Sequence, residues 1–259
     1  MPRIFDNIEL KLLPSLIDTL KVSHKAEFCV GYFNLRGWKQ LLPYIDNWQG
    51  TEENQCRLLI GMNETSPEDD LKNYLSFNGS ETEIDRQQLV KFRHRLAAQL
   101  REQLTYGIPT HQDEIALKQL VHQLKEKKLI VKLFIKHKLH AKLYLLYRND
   151  PNNPITGFLG SSNLTMAGLA NQGELNVDIL DHDATLKLQK WFADRWNDSL
   201  ACIDVSEELI KIIMESWAGQ EHIPPYHIYL KMAYHLSREA RAGFSEFSIP
   251  REFKNKLLE

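Results

Sequence analysis

Leu129-Ile-Val-Lys-Leu-Phe-Ile135, Leu139-His-Ala-Lys-Leu-Tyr-Leu-Leu-Tyr147 and Ile155-Thr-Gly-Phe-Leu159 decide the fold of this 259-residue chain. Each run is short, apolar and β-prone. The turn-rich Asn149-Asp-Pro-Asn-Asn-Pro154 separates the last two, so three strands read in succession. Upstream, Glu27 to Phe33 and Arg57 to Gly61 are runs of the same kind on either side of an amphipathic stretch from Leu35 to Ile45, which predicts a βαβ unit. Downstream, Leu175 to Leu180 reads as a further strand, followed by a helix through Leu200 that carries Trp191, Phe192 and Trp196. The opening, Ile8 to Leu20, has helical spacing interrupted by Pro14. Ser66 to Lys128 differs in composition: rich in Glu, Gln, Lys and Arg, it predicts helices over Leu89 to Leu104 and Glu114 to Lys127, parted by Gly107-Ile-Pro109. From Ser206 onward no strand pattern occurs, and helical spacing is broken at Pro224-Pro225. The class is therefore α/β, with a domain over residues 1–200, a helical insertion at about 66–128 and a helical extension over 201–259.

Composition narrows the function. With 43% apolar and 25% charged residues the chain can bury a core, and its formal net charge of -2 gives no global positive field. Any nucleic-acid contact must come from a local patch. The one basic stretch runs from Lys118 to Lys142, with eight lysines against the single acid Glu126, and leads up to His140. Cys29, Cys56 and Cys202 are far apart and form no CxxC pair, which argues against a disulfide framework or a thiolate zinc site and for a reducing, cytoplasmic setting. No long apolar leader or membrane-length apolar run is present, so the N-x-S/T triplets at Asn63, Asn78, Asn163 and Asn197 carry no glycosylation reading. Internal repeats and a Walker-type phosphate loop are lacking as well.

Within the second of the three strands, alternation sends Leu139, Ala141, Leu143 and Leu145 to one face and His140, Lys142 and Tyr144 to the other. Same-face neighbours stand about 7 Å apart, so an imidazole and an ammonium can touch one anion. A solvated polar face would look the same. Farther on, Gly157-Phe-Leu-Gly-Ser-Ser-Asn-Leu-Thr165 runs from a strand into a turn of small hydrogen-bonding residues, which also reads as a helix N-cap at Asn163 or Thr165. His137 and His140 offer only two zinc ligands, too few for a site.

His140-x-Lys142 followed by Gly160-Ser161-Ser162-Asn163 resembles the HKD signature of the phospholipase D superfamily, and Glu174 resembles that family's downstream acidic residue. The likeness spans about 40 residues. It departs at one place: the Asp expected five residues after the Lys is Tyr147. The resemblance implies a phospholipase D-like mixed sheet flanked by helices, and a metal-independent phosphodiesterase with no cofactor. His140 would attack phosphorus, Glu174 would hold its other ring nitrogen, and Lys142 and Asn163 would stabilise the transition-state charge, with Ser161 and Lys138 helping to bind substrate. Expelling the leaving oxygen needs a second imidazole, yet none of the other nine histidines sits in such a motif. The family's single-motif members dimerise, and a homodimer is expected here. The basic approach favours nucleic acid, DNA ahead of RNA, over phospholipid. Tyr32-Phe-Asn-Leu-Arg-Gly-Trp38 also resembles modules fused to bacterial DEAD/DEAH-like helicases, which makes a helicase following residue 259 the expected partner; by composition alone Tyr32, Phe33 and Trp38 are simply core. The rival readings are a non-catalytic nucleic-acid-binding module and a phospholipid hydrolase.

Overall fold

The computed structural model describes residues 2–61, 86–105, 108, 110–136, 139–219 and 225–243. Its strands are β1 (Ile4–Phe5), β2 (Ser23–Val30), β3 (Cys56–Ile60), β4 (Leu129–Phe134), β5 (Leu143–Arg148), β6 (Ile155–Gly160), β7 (Asn176–Ile179) and β8 (Cys202–Asp204). Its helices are α1 (Leu12–Leu20), α2 (Leu35–Trp38), α3 (Leu42–Ile45), α4 (Arg86–Thr105), α5 (His111–Lys125), α6 (His182–Trp196), α7 (Ser206–Met214) and α8 (Pro225–Gly243). The strands form one mixed sheet in the order β1-β7-β6-β5-β2-β3-β4-β8.

Connection length explains the mixture. β2, β3 and β4 are joined through helices and pair in parallel, with Ala26 opposite Cys56 and Leu58 opposite Val131. The short link between β5 and β6 permits only a hairpin, so these pair antiparallel, as do β2 with β5 and β6 with β7. Strand alternation then sorts the core into two layers. Tyr144, Leu146, Phe28, Val30, Leu58 and Val131 face one side and are covered by Leu16 of α1, Trp38 of α2, Leu100 of α4, Leu120 of α5 and Ile212 of α7. Leu143, Leu145, Cys29 and Leu59 face the other, under Phe192 and Trp196 of α6, whose rings stack at 5.6 Å. The sequence pattern of Leu139 to Leu145 anticipates this division.

The insertion is part of the first layer: where described, it consists of α4 and α5 packed on the sheet; the start expected at Ser66 lies outside the described residues. Pro14 does not break α1, because it falls in the first turn, where a backbone N–H has no partner within the helix. Two strands escape the sequence reading. β1 has two residues and β8 three, too short to display a period of two. β8 pairs with β4, Phe134 opposite Cys202, and Leu209 and Ile212 of α7 are buried in the core, so the compact unit runs from Met1 to Gly219 and a domain end near 200 falls too early. The second unit, Gln220–Glu259, has one described helix, α8, which opens on Pro225 as a first-turn proline can. Among the described residues no helix is long and apolar enough to cross a membrane.

Candidate active site

His140 and Lys142 lie just ahead of β5, whose pairing with β2 ends at Cys29 opposite Leu143. The pair therefore stands at the carboxyl end of the parallel strands. His140 is exposed, whereas Lys142 is only 4% exposed. The Lys142 ammonium donates to the His140 carbonyl at 2.9 Å and stands 2.7 Å from its Nδ1 and 3.1 Å from its Nε2. An ammonium has donors only, so the ring nitrogen it engages is an acceptor. Burial pushes the Lys142 ammonium below the usual lysine range, and the nearby Glu174 carboxylate opposes that shift.

The turn after β6 supplies the other groups. Gly160 is required there: a Cβ would stand 2.2 Å from the Leu175 carbonyl and 2.4 Å from the Asn176 side-chain oxygen. This close approach brings Ser161 to Glu174. The Ser161 hydroxyl donates to the Glu174 carboxylate and accepts from the Leu175 N–H at 2.9 Å. Beneath it, buried Asn176 donates to the Ser162 hydroxyl at 2.8 Å and Tyr144 donates to the Ser162 carbonyl at 2.9 Å. Asn163 is half-buried, and its Oδ1 accepts the Tyr32 N–H at 3.0 Å. The segment then enters one π-helical turn, Ala167–Asn171, with Thr165 accepting the Gly168 N–H at 2.9 Å. The cap expected at Asn163 or Thr165 is instead Met166, which makes no side-chain cap bond. Among the described residues no hydrogen bond joins Glu174 to His140; Glu174 engages Ser161, and the His140 ring engages Lys142. Lys138 lies outside the described residues.

Tyr147, where the motif resemblance leads one to expect Asp, points to the opposite face. Its hydroxyl donates to the buried Glu27 carboxylate on β2 at 2.5 Å. Arg57 and Lys25 stand 3.5 and 3.8 Å from that carboxylate. A carboxylate is thus supplied next to β5 by the neighbouring strand instead of by β5 itself. Cys29 lies 4.0 Å from the Ala141 carbonyl, close to the pair, but burial pushes its thiol up to about 12, so it is no rival nucleophile at neutral pH.

The lysines from 118 to 142 do not form one approach to His140. Lys125, Lys127 and Lys128 precede β4 and so lie at the far end of a strand about 20 Å long. Lys118 pairs with Glu114 at 2.7 Å, Lys128 donates to the Asp46 carbonyl at 2.6 Å, and Lys132 sits 4.6 Å from the centre of the Trp196 ring. Of the described lysines in that run, only exposed Lys136 joins Lys142 at the site end. Sequence proximity misleads here because the chain reverses direction between α5 and β4. Among the described residues no group of three or more His, Cys, Asp or Glu is placed to hold a metal ion.

The sequence also gave no sign of the supporting residues. Gln103 of α4 donates to the Tyr32 hydroxyl at 3.1 Å and the Phe33 carbonyl at 3.0 Å and accepts the Leu35 N–H at 3.1 Å. Phe33 and Trp38 are core residues, as composition predicts, but Tyr32 is half-buried and hydrogen-bonded.

Comparison with known proteins matches residues 103–208 to the family described as the NgoFVII restriction endonuclease N-terminal PLD domain. No curated protein matches the chain. Among solved structures, the chain is similar to NucT from Helicobacter pylori, with 12% identity, 79% of this chain and 98% of that chain covered, and a TM-score of 0.42. It is similar also to Nuc from Salmonella typhimurium, a phospholipase D family member, with 11% identity, coverage of 79% and 97%, and a TM-score of 0.43. For phosphatidylserine synthase of Haemophilus influenzae Rd KW20 the values are 15% identity, 82% and 44% coverage, and 0.45.

Proposed function

We propose that the chain, whose residues 103–208 match a phospholipase D-type domain family, is a phosphodiesterase that hydrolyses nucleic acid without a metal ion, through a phosphohistidine on His140. The observation that supports this is the gathering of His140, Lys142, Asn163 and the Ser161–Glu174 pair, from three separate segments, at one end of the sheet. A ring nitrogen of His140 attacks phosphorus, forming the P–N bond as the P–O bond to the leaving strand breaks. Water later attacks the same phosphorus, and the P–N bond breaks. Buried Lys142 and the Asn163 amide face the non-bridging oxygens, where charge develops. Glu174 turns from Ser161 to the His140 ring once substrate has drawn Lys142 away.

The departing oxygen needs a proton while His140 must be unprotonated, and one imidazole cannot serve both needs. A homodimer supplies the second His140. The family that matches is named for a restriction endonuclease, which favours DNA over RNA and over phospholipid. A helicase joined beyond residue 259 would make the domain its nucleic-acid end. Tyr147 in place of the motif Asp favours one rival, a non-catalytic nucleic-acid-binding module.

The test incubates EDTA-treated protein with labelled DNA, RNA and phospholipid vesicles. Expected is cleavage of nucleic acid in EDTA, lost in His140→Ala, with a labelled phosphohistidine trapped in the wild type. Binding without turnover establishes the rival, and activity that returns only with Mg²⁺ refutes the covalent route.

A further inference from the structure

We propose that Gln103, on α4, is a positioning residue that fixes which end of the Asn163 amide faces the substrate; this rests on the reading of Asn163 as a phosphate ligand. An asparagine side chain can turn end for end with almost no change of shape, exchanging its NH2 for its oxygen. Only the NH2 end attracts a phosphate oxygen. The Tyr32 N–H, 3.0 Å from Asn163 Oδ1, can donate but never accept, so it holds the oxygen end inward and leaves the NH2 end for the anion. The catalytic orientation of Asn163 thus depends on where the Tyr32 backbone lies.

That backbone has just left β2, and one side chain ties it down. Gln103 donates from Nε2 to the Tyr32 hydroxyl and the Phe33 carbonyl, and its Oε1 accepts the Leu35 N–H. A carbonyl on one side and an N–H on the other allow the Gln103 amide a single orientation as well. From the opposite side the Asn34 N–H donates to the Leu164 carbonyl at 3.1 Å. Gly37 lets α2 rest against the same turn, since a Cβ there would come within 2.6 Å of the Leu164 oxygen. The segment is therefore clamped between the Asn163 turn and Gln103, which lies 71 positions along the chain from Tyr32. This gives the helical insertion a part in the site without contact with substrate.

The test is a double-mutant cycle. Wild type, Gln103→Glu, Asn163→Ala and the double variant are compared in nucleic-acid turnover and, separately, in calorimetric titration with inorganic phosphate. Glutamate keeps the shape of Gln103, removes both donors and sets an oxygen against the Phe33 carbonyl. Expected for Gln103→Glu is a roughly tenfold loss in kcat with KM little changed and a roughly tenfold weaker phosphate affinity, the worth of one hydrogen bond to a charged group. In the Asn163→Ala background the same change should cost less than twofold, because the amide it orients is gone. An equal loss in both backgrounds, or no loss in either, overturns the proposal. Gln103→Met, which keeps the length and carries no charge, repeats the cycle if the Glu variant does not fold. If neither folds, Gln103 is a determinant of the fold and the proposal fails. Wild type that binds phosphate and shows the non-additive cycle without cleaving nucleic acid refutes the nuclease reading alone. Wild type that neither binds phosphate nor cleaves refutes both.

Discussion

Tyr147→Phe separates the structural work of the departed motif position from catalysis. In the wild type the Tyr147 hydroxyl donates at 2.5 Å to a Glu27 carboxylate that is only 3% exposed, while Arg57 at 3.5 Å and Lys25 at 3.8 Å stand farther off. Removing the hydroxyl takes away a hydrogen bond to a charged, buried acceptor, a loss of about 1.5–3 kcal/mol. For a compact unit of this size that is a fall in Tm of roughly 3–12 °C. The cost also has a pH signature. Burial, the largest influence, raises the Glu27 pKa, and the bond from Tyr147 opposes it; without the hydroxyl the folded-state pKa rises further above the unfolded value. An acid whose folded pKa is raised weakens the fold when ionised, and that penalty is relieved as pH falls through the folded pKa toward the unfolded one. The deficit of the variant should therefore be full at pH 8 and smaller at pH 5. Urea unfolding followed by circular dichroism at both pH values measures it, and turnover should change less than threefold because the hydroxyl lies on the face away from Tyr144. A stability change under 0.5 kcal/mol at pH 8, or an equal cost at both pH values, refutes the account of the Glu27 bond; a tenfold loss of turnover refutes the separation from catalysis.

Three further outcomes are expected. Lys142→Ala should lower kcat about 10²-fold, and because burial lowers the Lys142 pKa, wild-type activity should fall with rising pH before the range of an exposed lysine, about 10.4; a kcat/KM profile flat through that range would show that the ammonium is not needed. Lys136→Ala should reduce the slope of log affinity for DNA against log salt by about 0.9, whereas Lys125→Ala, at the far end of the sheet, should leave it unchanged; equal effects of the two would contradict the placement of the basic face. Mixing wild type with excess His140→Ala should lower the activity per wild-type chain through exchange into mixed dimers; activity unaffected by mixing, or a fully active monomer, places the general acid within one chain.

What the sequence revealed, and what it hid, follows from the range of the interactions involved. The division of Leu139, Leu143 and Leu145 from Tyr144 was legible because strand alternation is local and both faces are buried. Asn163 and Ser161 were legible because a small-residue turn after a strand is also local. Gln103, Glu27 and Asn176 were not, because each acts on a partner brought near by sheet order: Glu27 meets Tyr147 across 120 positions and Gln103 meets Tyr32 across 71. Their own neighbourhoods in the chain look like ordinary helix or strand. The lysine run misled for the opposite reason, since charges adjacent in the chain were carried to both ends of β4.

The position of the site has a topological cause. β2, β3 and β4 run in parallel, and β5 lies antiparallel beside β2, so the end of β2 and the start of β5 meet at one edge. There the chain leaves β2 through Tyr32 and arrives at β5 through His140 and Lys142. Backbone groups freed from the ladder at such a junction are available to side chains, as the Tyr32 N–H is to Asn163. Its neighbour β6 ends at the same level, Leu159 opposite Leu143, which delivers Gly160 and the Asn163 turn to the gap. Had β5 been parallel to β2, His140 would have opened at the opposite end of the sheet from Tyr32. The antiparallel reversal at β5 is thus what brings the His140 imidazole and the Lys142 ammonium, from one segment, and the Asn163 amide, from a second, to the same end of the sheet.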